Sequence, residues 1–179
     1  MDDFLIDGDI LVKYNGSGGD VVIPDGIWQI DPGAFEKCAG LTSVTIPEGV
    51  ERIETEAFCG CSDLTEVILP ESVWDIGSCV FADCASLRRV KLPESMKELP
   101  HGIFQNCPAL TEIELPDGLI YISSSVFRRC PGLKSVTIPR SVTEINDFAF
   151  DEDVEIRGAF ASVAYWYAMA NGNPFEQTD

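Results

Sequence analysis

The chain has 179 residues, with 12 Lys+Arg against 30 Asp+Glu and a single histidine, for a formal charge of −18. Its length and 45% apolar content fit one globular domain with a sizeable core, and its acidity argues against a nucleic-acid partner, whose phosphates call for a basic patch. No apolar run approaches the ~18 residues needed to span a bilayer, and Met1-Asp2-Asp3-Phe4 lacks the basic-then-apolar pattern of an export signal.

The first predicted element is a hairpin, Phe4-Leu5-Ile6-Asp7-Gly8-Asp9-Ile10-Leu11-Val12, turning at Asp7-Gly8. A Gly-rich linker, Asn15-Gly16-Ser17-Gly18-Gly19, follows. From Val21 the chain repeats itself. Prolines fall at Pro24, Pro47, Pro70, Pro93, Pro116 and Pro139, and phenylalanines at Phe35, Phe58, Phe81, Phe104, Phe127 and Phe150, always 23 residues apart. Cys38, Cys61, Cys84, Cys107 and Cys130 keep the interval, as do Leu41, Leu64, Leu87, Leu110 and Leu133. No insertion breaks the register, which marks a repeat architecture.

One repeat shows what the period means. Val44 and Ile46 lie two apart and point to one side of a short strand, with Ser43 and Thr45 on the other. Pro47 cannot donate to a ladder and ends the strand; Pro47 and Gly49 fit the second and fourth positions of a type I turn. Val50 and Ile53 begin a second extended piece, and Ala57, Phe58 and Cys61 suit one turn of tight 3-10 helix. A single repeat cannot bury its apolar set alone, but stacked copies can, in columns spaced ~4.8 Å apart.

After Phe150, Val154-Glu155-Ile156 continues as a last strand. Val163, Trp166, Tyr167 and Ala170 then recur at helical spacing, predicting a helix that turns this face to the open end of the core, with Asn171-Gly172 as its stop. The expected layout is one structural domain: a hairpin cap over 1–20, six repeats over 21–153, and a strand and helix cap over 154–179.

The segment Leu-Thr-Ser-Val-Thr-Ile-Pro-Glu-Gly-Val, followed by Ile, Ala-Phe and Cys, resembles the BspA-type leucine-rich repeat family over roughly residues 21–150. The opening Val12-Lys13-Tyr14-Asn15-Gly16 and the closing Ala168-Met169-Ala170-Asn171-Gly172-Asn173-Pro174-Phe175 resemble its end segments. The resemblance implies a right-handed solenoid with a parallel sheet on its concave face. It also implies a non-catalytic binding scaffold like bacterial or protist surface proteins, some of which bind host matrix proteins, and it carries over no catalytic, metal or cofactor residue. A cell-surface or secreted setting follows from the resemblance; a native start at Met1, with seven cysteines and no signal peptide, would instead fit the cytoplasm.

Other constellations have plainer readings. The five column cysteines are expected inside, as small apolar residues too parallel to bridge and too linear to bind zinc, with Cys59 and Cys79 more accessible. Cys107 is therefore a poor nucleophile for His101, and Gly16-Ser17-Gly18-Gly19 lacks the lysine of a phosphate loop. Asp25, Glu48, Glu71, Glu94 and Asp117 follow the strand-ending prolines and line up five carboxylates, a solvated turn column or a track for a basic partner or calcium; Arg140 breaks it.

Outward strand positions supply the candidate partner-binding residues. One column includes Ile68, Lys91 and Glu114, its neighbour Glu66, Arg89 and Glu112, and the second extended piece presents Trp28, Trp74 and Ile120 with Tyr121 alongside. Exposed tryptophans are enriched at interaction sites. The expected function is protein or ligand recognition by an acidic, non-enzymatic repeat surface without a cofactor. The alternative is a structural spacer or cap within a larger assembly. Partner and oligomeric state stay open.

Overall fold

Alternation along Leu41–Ile46 buries Leu41, Val44 and Ile46 and leaves Thr42 and Thr45 outside. In the computed structural model, which describes residues 3–178, every repeat opens with such a strand. With strands numbered in chain order, these are β3 (Gly19–Val22), β5 (Leu41–Thr45), β7 (Glu66–Ile68), β9 (Arg89–Lys91), β11 (Glu112–Ile113), β13 (Ser135–Thr137) and β15 (Glu155–Gly158). They pair in parallel, in two runs: β3 to β11, then β13, β15 and the final β16 (Phe175–Gln177). Equivalent residues meet one coil apart, Val21 opposite Val44 and Val67 opposite Val90. The fold is thus a parallel solenoid of about seven turns, one beyond the six repeats. Its last coil is shorter, since Val136 pairs with Ile156.

The proline turn differs from the expected one. Pro47 stands first, its carbonyl accepting from the Val50 N–H at 3.3 Å. Gly49 is therefore third and adopts φ +105°, a region open to glycine. A second ladder follows each turn: β4 (Gln29–Ile30), β6 (Arg52–Ile53), β8 (Asp75–Ile76), β10 (Glu98–Leu99), β12 (Tyr121–Ile122) and β14 (Glu144–Ile145). It starts on the N-terminal hairpin, where β1 (Phe4–Asp7) pairs antiparallel with β2 (Ile10–Tyr14), and β2 pairs in parallel with β4. The hairpin loop is Gly8-Asp9, one residue later than expected, because Asp7 pairs with Ile10. The Gly-rich segment is no loose linker. Gly19 already belongs to β3, its N–H donating to the Gly40 carbonyl at 2.7 Å, and a Cβ on Gly18 would come within 2.5 Å of the Gly40 carbonyl carbon.

The segment expected as a tight helix is a run of turns. Alternate N–H groups bond inside the coil, from Ala57 to Glu54, Cys59 to Glu56 and Cys61 to Phe58. The groups between them reach the next coil, from Glu56 to Ser78, Phe58 to Val80 and Gly60 to Ala82. Left-handed residues make this alternation possible, in two columns with the repeat period. One holds Gly33, Glu56, Cys79, Gly102, Ser125 and Phe148; the other holds Lys37, Gly60, Asp83, Asn106 and Arg129. A side chain there costs about 1–2 kcal/mol, offset at Lys37, Glu56, Cys79, Asp83 and Asn106 by a backbone bond to the following coil.

Inside the turns the rings of Tyr14, Phe35, Phe58, Phe81, Phe104, Phe127 and Phe150 stack face to face, with centroids 4.8–5.9 Å apart. Phe4 tilts onto one end at 5.2 Å and Tyr167 meets the other edge-on at 5.7 Å. Tyr167 belongs to α1 (Val163–Asn171), whose Ser162 accepts from the Tyr165 N–H and whose Gly172 closes it in the left-handed region. The helix is rotated from the expected face: Ala164, Tyr167 and Ala168 are buried, while Trp166 and Ala170 are exposed. Small alanines let the backbone approach the last coil, and Tyr167 alone is needed to close the ring stack. Asp151 completes this end: its carboxylate accepts from the Arg129 N–H, where a further coil would supply a carbonyl, and also from the Cys130 N–H.

Candidate functional site

The strand residues that point outward assemble two surfaces. On the first sheet, pairing sets Glu66, Arg89 and Glu112 in line on successive strands, and Ile68 opposite Lys91. Arg89, Lys91, Glu112 and Glu114 border a depression of about 380 Å³ with Glu94 and Asp117 at its rim. All six are exposed. Among the described residues, neither Arg89 nor Lys91 lies within 4.0 Å of a carboxylate. Ile68 (55% exposed) and Glu66 border the adjoining depression, with Ser43 and Thr45.

The second surface lies on the other ladder. In most coils an N–H reaches back one coil here: Glu54 to Ile30, Gly77 to Ile53, Ser123 to Leu99 and Asn146 to Ile122. The equivalent residue of the fourth coil is Pro100, which has no N–H to give. The ladder breaks there: β8 and β10 do not pair, and among the described residues the carbonyls of Trp74 and Ile76 receive no hydrogen bond. The ring spacing beneath is the widest of the stack, 5.9 Å between Phe81 and Phe104. Above the break, Trp74, Ile76, Met96, Lys97, Ile120 and Tyr121 border a depression of about 380 Å³. Trp74 is 66% exposed, and its indole N–H donates to Glu51 of the preceding coil at 3.2 Å. The Tyr121 hydroxyl accepts from the Asn146 amide.

Trp28, expected to be open, is half-buried and apart from this groove; its indole donates to Asp9 in the hairpin loop at 3.0 Å. The acidic column is exposed along its whole length. Glu71 accepts from the Glu94 N–H at 2.9 Å, an ordinary turn contact between coils, and no group of three metal-ligating side chains converges among the described residues. Sequence reasoning missed an aromatic patch at the C-terminal end, where Phe160 (64%) and Trp166 (61%) are exposed around Tyr165 and Phe175. The rotation of α1 is what brings Trp166 to it.

Four column cysteines are buried, and Cys38 is half-buried with Cys59 and Cys79. The thiols do more than fill space. Each donates to the carbonyl of a phenylalanine one coil back: Cys61 to Phe35, Cys84 to Phe58, Cys107 to Phe81 and Cys130 to Phe104, at 3.0–3.3 Å. Burial pushes these thiols up from 9.0, to about 12 for Cys61 and about 11 for Cys130, and well above 9.0 for Cys84 and Cys107. At neutral pH they are protonated and poor nucleophiles. His101 is engaged elsewhere, its Nδ1 lying 2.9 Å from the Ser124 hydroxyl.

A coil of 23-residue repeats, with strands of the form Leu-x-x-Val-x-Ile and stacked phenylalanines, defines a leucine-rich repeat solenoid. The sequence matches the BspA type leucine-rich repeat region in six copies over residues 28–157, and the chain belongs to that family. No curated protein matches it in sequence. Among solved structures it resembles a leucine-rich repeat protein of T. pallidum, with 26% identity, 93% of this chain and 89% of that chain covered, and a TM-score of 0.71. A leucine-rich repeat protein of Eubacterium ventriosum shares the fold at 23% identity, 80% and 46% coverage and a TM-score of 0.68. The pneumococcal vaccine antigen PcpA does so at 17% identity, 87% and 63% coverage and a TM-score of 0.63.

Proposed function

We propose that this chain is a non-catalytic recognition scaffold that docks a protein ligand in the groove of Trp74, Ile120 and Tyr121. The break at Pro100 carries the reading. It sets exposed apolar side chains beside the Trp74 and Ile76 carbonyls, which have no hydrogen-bond donor among the described residues. A ligand inserting an apolar side chain between Trp74 and Ile120, with an N–H against those carbonyls, would bury the first and satisfy the second. Lys97 and Glu98 on the same rim offer charges that select among ligands. Membership of a leucine-rich repeat family supports a binding surface over a reaction centre.

The test compares wild type, Trp74→Ala and Tyr121→Ala in affinity capture from one biological sample, with a thermal melt of each. Loss of the same captured protein in both variants, with melting unchanged, is the expected result. Identical capture by all three would remove the groove from consideration and favour the spacer role.

A further inference from the structure

The outer face of the first sheet carries a charge pattern with a consequence of its own. Within an acidic protein, β9 bears two cations, Arg89 and Lys91, and the next coil bears Glu112 and Glu114 at the same two positions. Neither cation is paired within the chain, although Arg89 has Glu66 and Glu112 as registered neighbours. We infer that this face associates with a second copy of the chain, about a two-fold axis that runs along the strands and passes between β9 and β11.

That operation reverses the order of coils and keeps the strand direction. It therefore lays Arg89 over the copy's Glu112 and Lys91 over its Glu114, twice per pair of molecules, as self-complementary faces require. Sheets stacked face to face lie ~10 Å apart, a gap that two long charged side chains bridge. The flanking coils are compatible. Glu66 and Ile68 face Ser135 and Thr137, while Ser43 and Thr45 face Glu155 and Arg157, the latter already paired with Glu155 and Glu176. On the turn rim Glu71 faces Arg140, the cation that interrupts the acidic column. One like-charge contact remains, Glu94 over Asp117; both are exposed, so salt screens it. This surface is on a different sheet from the Trp74 groove.

Sedimentation equilibrium of the full chain at ~0.15 M salt tests the assignment, with thermal melts to show that each variant folds. Wild type dimerises reversibly. Arg89→Glu/Lys91→Glu makes both rows negative and Glu112→Lys/Glu114→Lys makes both positive, each weakening self-association roughly 100-fold or more. An equimolar mixture of the two variants dimerises again, because every facing pair within these two rows is then of opposite sign. Trp74→Ala leaves the dimer unchanged, so this result and that of the groove are separable. A wild type that stays monomeric, variants that dimerise as wild type does, or a mixture that fails to associate would each overturn the proposal.

Discussion

The turn side of the solenoid and its two strand ladders are built from the same repeats, yet only the turn side runs unbroken. Inter-coil bonds from turn N–H groups continue from Gly33 to Phe127, and the ring stack from Tyr14 to Phe150. Each ladder is interrupted once, between β8 and β10 and between β11 and β13. Continuity therefore rests on the rings, the thiols and the turns, and the sheets can lose a rung. That freedom lets Pro100 open a groove without dividing the molecule.

The largest expected effect comes from cutting the continuous side. Phe81 is fully buried in the middle of the stack, so Phe81→Ala removes two ring contacts and leaves a cavity. It should cost about 3–5 kcal/mol, or about 10 °C in Tm. Thr45→Ala, on the outer face of a strand, should stay within ~0.5 kcal/mol. Calorimetry of both variants checks the contrast, and equal losses would contradict it.

Next comes the C-terminal end of the turn column. Asp151→Ala strips two charge-assisted bonds from the Arg129 and Cys130 N–H groups and should cost about 2 kcal/mol. Urea denaturation measures it; a loss no greater than that of Thr45→Ala would mean that water serves these groups equally well.

The thiols give a smaller, pH-dependent contribution. Their folded pKa values lie above 9.0, so the stabilisation is complete below about 9 and declines as pH rises towards about 11 for Cys130 and about 12 for Cys61. Far-UV circular dichroism against pH should show alkaline unfolding that Cys61→Ala and Cys130→Ala shift to higher pH. At neutral pH, a thiol reagent should modify Cys38, Cys59 and Cys79 while the four buried cysteines wait for unfolding. Rapid reaction at Cys84 or Cys107 would contradict the buried column.

Much of this was legible in the repeats. The Pro, Phe, Cys and Leu columns announce the coil, and alternation at Val44, Thr45 and Ile46 places the strand. The turn run was not, because its left-handed positions are held by Glu56, Cys79 and Asp83 as well as by glycine. Backbone bonds to the adjacent coil decide that conformation, and no local residue preference signals it. Trp74, Ile120 and Tyr121 could be placed on one surface from the period alone. Pro100 was visible, but its meaning depended on knowing that its neighbours' N–H groups reach back one coil. The hydrogen bond that holds Trp28 goes to Asp9, contributed by the irregular hairpin outside the repeat.

Residue-resolved amide hydrogen exchange tests most directly whether the turn side carries the continuity. The N–H groups of Phe35, Phe58, Phe81, Phe104 and Phe127, each bonded to the following coil, should exchange slowest and at similar rates through the whole chain. Those of Lys97 and Glu98, at the ladder break, should exchange far sooner. Protection that collapses at Phe81 and Phe104, or that is as strong at Lys97 and Glu98 as at the phenylalanines, would contradict the account.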